Sequence, residues 1–133
     1  MRTKHALTSA DVQKMMAACK AEATKNKWNV TIAIVDDSGA ALLLERMDGA
    51  GPISAEVAMG KARTSAATKR PTKFWEDRVK EKPAFVTFPS GGVLFQGGLP
   101  LLYQGDCVGA IGVSGVQSHE DEQIAQAGVA ALG

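Results

Sequence analysis

The alternation of apolar and polar positions divides the chain into helices and two hairpins. Val12, Met15, Met16, Cys19 and Ala23 recur at helical spacing, and Thr8 with Asp11 three residues later reads as a capping box. A first helix is therefore expected to run to about Thr24. The stretch from Val30 to Asp36 is short, β-branched and almost wholly apolar, the pattern of a strand covered on both faces. Asp37, Ser38 and Gly39 supply a turn, and Ala40 to Met47 forms the partner strand. From Ser54 the period becomes helical again through Val57, Ala58, Lys61, Ala62, Ser65 and Ala66, nearly all small residues. Pro71 and Thr72 end that helix and open a short one through Phe74, Trp75 and Val79.

The stretch from Pro83 to Gly98 is rich in glycine and proline, with a short strand expected around Val93 to Phe95. Leu99 to Tyr103 and Cys107 to Val113, joined by Gln104 and Gly105, predict a second hairpin. Ser118 with Asp121 suggests a capping box for a last helix carrying Ile124, Ala127 and Ala131. Hairpins alternating with helices predict an antiparallel sheet with helices packed on it, in one domain spanning residues 1–133.

Composition narrows the classes of function. With 15 Lys and Arg against 14 Asp and Glu, net charge +1, there is no clustered positive charge for nucleic acid. Aromatic content of 5% also argues against a base-stacking surface. No segment reaches the length of a membrane span, and MRTKHALTSADVQKMM lacks the apolar stretch of a secretory signal. A cytoplasmic location is expected. Cys19 and Cys107 lie in apolar patterns, so two buried thiols are expected, with a disulfide left open.

Four phrases, VTIAIVDDSGAALLLERMDGA, ISAEVAMGKARTSAATKRPT, GGLPLLYQGDCVGAIGVSG and HEDEQIAQAGV, occur in this order and cover most of the chain. Together they resemble the haem-degrading or haem-binding domain family, which includes glycolate-utilisation protein G-like proteins and the C-terminal part of some cobalamin adenosyltransferases. The resemblance implies an α+β, profilin-like fold, a five-stranded antiparallel sheet flanked by helices, assembled into homo-oligomers. It makes haem a candidate cofactor and implies a small-molecule partner. The family phrase carries a glutamate where this chain has His119.

Gly109, Gly112 and Gly115 precede the last helix, but the spacing is not the dinucleotide fingerprint and lies in a hairpin strand. Of Glu120, Asp121 and Glu122, two serve most simply as caps, while the third turns inward beside Ser114 to move a proton or pair with a cation. Lys61 sits on the apolar stripe of its helix, where it must snorkel, pair with an acid, line a pocket or cross a subunit interface. Arg63 points elsewhere, to solvent or a dimer contact. Arg46 closes its strand as a carboxylate binder, or as a surface pair with Asp48. Gly97 and Gly98 allow close approach to a ligand, or only a turn; Phe85, Phe88 and Phe95 could cover a pocket or a core edge, near Pro89, Ser90 and Gly91. His5 and His119, the two histidines, have no metal-site spacing, and no metal site is expected.

Two functions follow. One is a binding protein whose pocket lies between the sheet and the small-residue helix, for haem or another planar carboxylated ligand, its carboxylates held by Arg46 and Lys61, with Gly97, Gly98, Ser114 and His119 around it. In that case replacing His119 or His5 should abolish a haem spectrum. The other is an enzyme of hydratase, deaminase or tautomerase type acting on a small organic acid. There Arg46 anchors the substrate, Lys61 polarises a carbonyl, and Glu120 or Asp121 moves a proton.

Overall fold

A computed structural model describes residues 1–87 and 92–133. Helix α1 (Ser9–Lys25) opens on the expected box: the Asp11 N–H donates to Thr8 Oγ1 at 3.1 Å, and the Thr8 N–H donates to Asp11 Oδ2 at 2.8 Å. Strands β1 (Thr31–Asp36) and β2 (Ala41–Arg46) form the first hairpin. The Asp36 carboxylate holds their turn by accepting from the backbone of Ser38 and Ala40, while Gly39 takes φ +86°. Helices α2 (Ser54–Thr68) and α3 (Thr72–Glu81) and a 3-10 turn (Pro83–Thr87) follow. Strands β3 (Gly98–Tyr103) and β4 (Asp106–Ser114) form the second hairpin, and α4 (Ser118–Leu132) ends the chain. Gln104 and Gly105, at φ +48° and +86°, make the tight two-residue link between β3 and β4.

The sheet is antiparallel with strand order β2-β1-β4-β3. The fifth strand expected around Val93 to Phe95 is not formed. Backbone donors there go to side chains instead: Val93 N–H to Thr64 Oγ1 at 3.1 Å and Gln96 N–H to Glu76 Oε1 at 3.2 Å. The segment is thus strapped to α2 and α3 rather than added to a sheet edge. Readings placed on Phe88, Pro89, Ser90 and Gly91 lie outside the described residues.

Alternation along β1 sorts the two faces. Ile32 and Ile34 join Ile111, Val113 and Leu101 beneath α1 and α4, the larger of the two apolar clusters. Each fully buried Ile or Val there contributes about 1.5–3 kcal/mol. Ala33, Val35 and Ala110 face the other way, onto Ala58, Ala62 and Ala66 of α2. The small residues of α2 have a steric cause. A Cβ on Gly112 would lie 2.5 Å from the Ala62 nitrogen and closer still to the Ala58 carbonyl. Helix backbone therefore rides directly on strand backbone.

Helix α2 ends on Lys69, a non-glycine residue at φ 57°, ψ 34°. That left-handed cap favours glycine. Lys69→Gly is expected to raise stability by about 0.5 kcal/mol, seen as a melting temperature about 2 °C higher. No gain on melting would mean that the added freedom of the unfolded chain cancels the relief.

Candidate functional site

Two places concentrate unusual chemistry, and α2 builds both. The first is a buried ion pair at the C-terminal end of β4. Lys61 is 0% exposed, and its Nζ donates to Asp121 Oδ2 at 3.0 Å and to the Val113 carbonyl at 2.9 Å. The Phe95 ring lies over the ammonium at 4.8 Å, and Gly97 passes so close that a Cβ there would be 2.6 Å from Nζ. Asp121 Oδ1 accepts from the Val116 N–H at 3.1 Å. Burial holds the Lys61 ammonium below the ordinary lysine value despite the pull of Asp121. It likewise lifts the Asp121 carboxyl above the usual aspartate value, against Lys61 and the Val116 N–H. Both shifts have one cause: removing the charges from water outweighs their attraction. For Asp121 the folded state therefore takes up its proton first as pH falls, so between the ordinary and raised values this group favours folding as pH drops.

Asp121 can reach Lys61 because it is not a cap. The expected Ser118 box is replaced by one a residue earlier: the Gln117 N–H donates to Glu120 Oε1 at 3.1 Å. Glu120 is thus occupied at the helix start, and Glu122 accepts from Gln96 Nε2 at 3.2 Å. Of the three acids, Asp121 is the one that turns inward. Gly98, in turn, packs against the Lys61 carbonyl, its N–H donating to Thr72 Oγ1 at 2.9 Å. The glycine pair serves close packing of β3 on α2 and α3.

The second place is an open groove of about 590 Å³ beside α2 on its β2 side. Leu44, Ile53, Val57, Met59 and Val93 give it apolar walls, and Glu56 and Arg63 line it too. Leu44 is 40% exposed and Ile53 66% exposed, so both present apolar surface to solvent. In the β1–β2 register Arg46 faces Thr31 while Leu44 faces Ala33. Arg46 therefore shares the groove's sheet face, two residues along from Leu44, whereas Glu45 on the other face pairs with Lys20 of α1 at 2.8 Å. Among the described residues no ion pair engages Arg46.

The remaining sequence candidates lie elsewhere. Ser114 closes β4 opposite Thr31. His119 is exposed on the first turn of α4. His5 packs edge-on against Tyr103 at 4.8 Å and reaches Asp106 at 3.2 Å, beside a separate cleft of about 250 Å³. Neither histidine lines the groove. Cys19 is buried and its thiol is pushed up to about 12, while Cys107 is only half-buried, against the expectation of two buried thiols; both are free. No helix among the described residues is long and apolar enough to cross a membrane.

The sequence places a pocket between the sheet and the small-residue helix, but Leu44, Met59, Arg63 and Val93 are not among the residues read as lining it. Arg63 reads as solvated or as a dimer contact, and Met59 carries no signal beyond its place in a small-residue helix. The available hint was β2 itself, where three consecutive leucines leave apolar side chains on both faces of an edge strand.

Known proteins share this architecture and sequence. The chain is 44% identical over 115 residues to Protein GlcG of Escherichia coli, a match spanning 86% of this chain and 85% of that protein. A double-mutant form of Streptomyces reticuli HbpS superposes with a TM-score of 0.92 at 36% identity, covering 100% of this chain and 91% of that one. A PduOC:heme complex superposes at 0.89 with 30% identity, covering 96% of this chain and 95% of that one. The model of the family described as haem degrading protein HbpS-like matches residues 7–130. The chain belongs to the HbpS-like haem-degrading family.

Proposed function

We propose that this protein binds haem, or another planar carboxylated ligand of similar size, in the groove between α2 and β2. The observation that carries the reading is the groove itself: about 590 Å³ of open, mostly apolar space with an arginine among its lining residues. That volume lies within the roughly 300–1,000 Å³ of small-molecule sites. A flat hydrophobic ring system would bury against Leu44, Ile53, Val57 and Val93. A carboxylate would meet the planar fork of Arg63, with Arg46 on the same face. When bound, haem would supply the redox chemistry of its iron; the chain supplies the slot and the counter-charge. Membership of the HbpS-like family and the likeness to a protein solved with haem support this reading.

A small-acid enzyme built on Lys61 draws less support. Its ammonium is sealed beneath Phe95 and Gly97 and donates to protein oxygens, so a substrate would have to displace that cover first.

The test is a titration with ferric haem followed by absorbance. The wild-type protein should saturate at one haem per chain. Leu44→Glu, which places a charge on the exposed apolar wall, should abolish saturation. Arg63→Ala should weaken binding roughly fivefold, the loss of about 1 kcal/mol expected for a partly exposed ion pair. His5→Ala and His119→Ala should bind as the wild type does. A shift that never saturates and survives Leu44→Glu would mean haem adheres nonspecifically, and the groove reading would be abandoned.

A further inference from the structure

We infer that the partner this groove fits is a second copy of the same chain, which supplies the wall that its open side lacks. What concerns the ligand in this inference rests on the binding function proposed above. Most of α2 is covered by the sheet and by the segment strapped across it, and the exposed positions on the helix are Glu56, Arg63 and Ala67. Glu56 and Arg63 are thus its two exposed charges, because Lys61 is buried. They stand two turns apart, so they lie on one line of the helix, separated by about 10.5 Å. Both line the groove. Among the described residues neither pairs with an opposite charge; Arg63 Nε makes a long donation to the Gly39 carbonyl at 3.5 Å.

An acid and a base placed in this way are self-complementary. Rotating a second copy by a half-turn about an axis that crosses α2 midway, between Met59 and Gly60, sets the two helices antiparallel. Glu56 of each copy then faces Arg63 of the other, and one surface used twice gives two equivalent ion pairs. A partner of another sequence needs no such symmetry. Leu44 and Ile53, 40% and 66% exposed, flank this line and supply the apolar surface that the second copy buries. Strand β2 is also the bare edge of the sheet. The opposite edge, β3, carries Pro100, which has no N–H to offer a neighbouring strand, whereas β2 has no proline and three consecutive leucines. In the pair, each groove is closed by the facing copy. The five donors of the Arg63 fork serve a ligand carboxylate and the partner subunit's Glu56 together.

The experiment measures mass in solution by sedimentation equilibrium, without haem. It compares the wild type with Glu56→Arg, Arg63→Glu and the double variant carrying both, each first checked for a wild-type circular dichroism spectrum. The wild type should be a dimer or an even multiple of one. Each single variant sets like charges face to face at both ends of the interface. It should weaken self-association about tenfold or more, leaving species of at most half the wild-type mass. The double variant exchanges the charges, keeps the surface self-complementary, and should recover the wild-type mass. A monomeric wild type, single variants of unchanged mass, or a double variant that stays dissociated would each overturn the inference. The haem titration described above would then still decide the groove reading by itself. A second arm titrates ferric haem into Glu56→Arg. The added cation should tighten an acidic ligand held by one copy alone. With the facing wall gone, binding should instead weaken by about tenfold or more, since much of the buried contact is lost. Unchanged or tighter binding by dissociated Glu56→Arg would overturn the two-copy site and leave the groove of a single chain standing.

Discussion

Asp121→Ala is expected to destabilise the protein by about 3–5 kcal/mol, read as a lower urea midpoint. The carboxylate does more than contribute an attraction. Its removal leaves the Lys61 ammonium 0% exposed with one charged partner gone, and it strips the acceptor from the Val116 N–H. The cost is mainly that of the abandoned charge, and this gives a second arm to the measurement. Lys61→Met together with Asp121→Ala should be less destabilising than Asp121→Ala alone, because no ammonium is then left in the interior. The opposed shifts already point this way: burial disfavours both charges more strongly than the pairing favours them. A single-variant loss below about 1 kcal/mol would place the pair with weak surface bridges and contradict its burial.

Gly112→Ala should be nearly as damaging, by at least about 3 kcal/mol. Gly112 lies in the middle of the sheet, opposite Ala33 on one side and Gly98 on the other. The added methyl would meet Ala62 N at 2.5 Å and the Ala58 carbonyl closer still. Both obstacles are backbone, so no side-chain rotation relieves them and α2 must lift from the sheet. Melting should fall by about 10 °C or more. Gly51→Ala is the control, since nothing lies within 4 Å of that position, and its melting should be unchanged. An equal loss at both positions would mean that the damage does not come from the contact with α2, since replacing glycine restricts the unfolded chain and by itself raises stability.

The parts of this molecule that were legible in the sequence are those written in local periodicity. The two hairpins, the Thr8–Asp11 box and the small-residue face of α2 follow from spacing and turn chemistry. That one acid would turn inward was legible as a possibility but not as a residue, and its partners are Lys61 and the Val116 N–H rather than Ser114. Choosing Asp121 requires knowing that the cap falls on Gln117, one residue before the serine that composition favours. The missing fifth strand failed for a tertiary reason: its backbone donors are claimed by Thr64 and Glu76, distant in sequence. The walls of the groove were illegible for the same reason. Leu44, Met59 and Val93 come from three separate segments, and no local pattern announces that they share a wall.

The Lys61–Asp121 pair has a consequence for how the protein comes apart. Helix α2 covers one face of the sheet and α4 the other, and each face has its own apolar cluster. Left to packing alone, either layer could open while the other stayed closed. A lysine from one layer bonded to an aspartate from the other makes each opening expose an ion that the closed layer cannot accommodate. The two layers are thereby fused into one cooperative unit, so the local unfolding of either is raised towards the free energy of unfolding the whole.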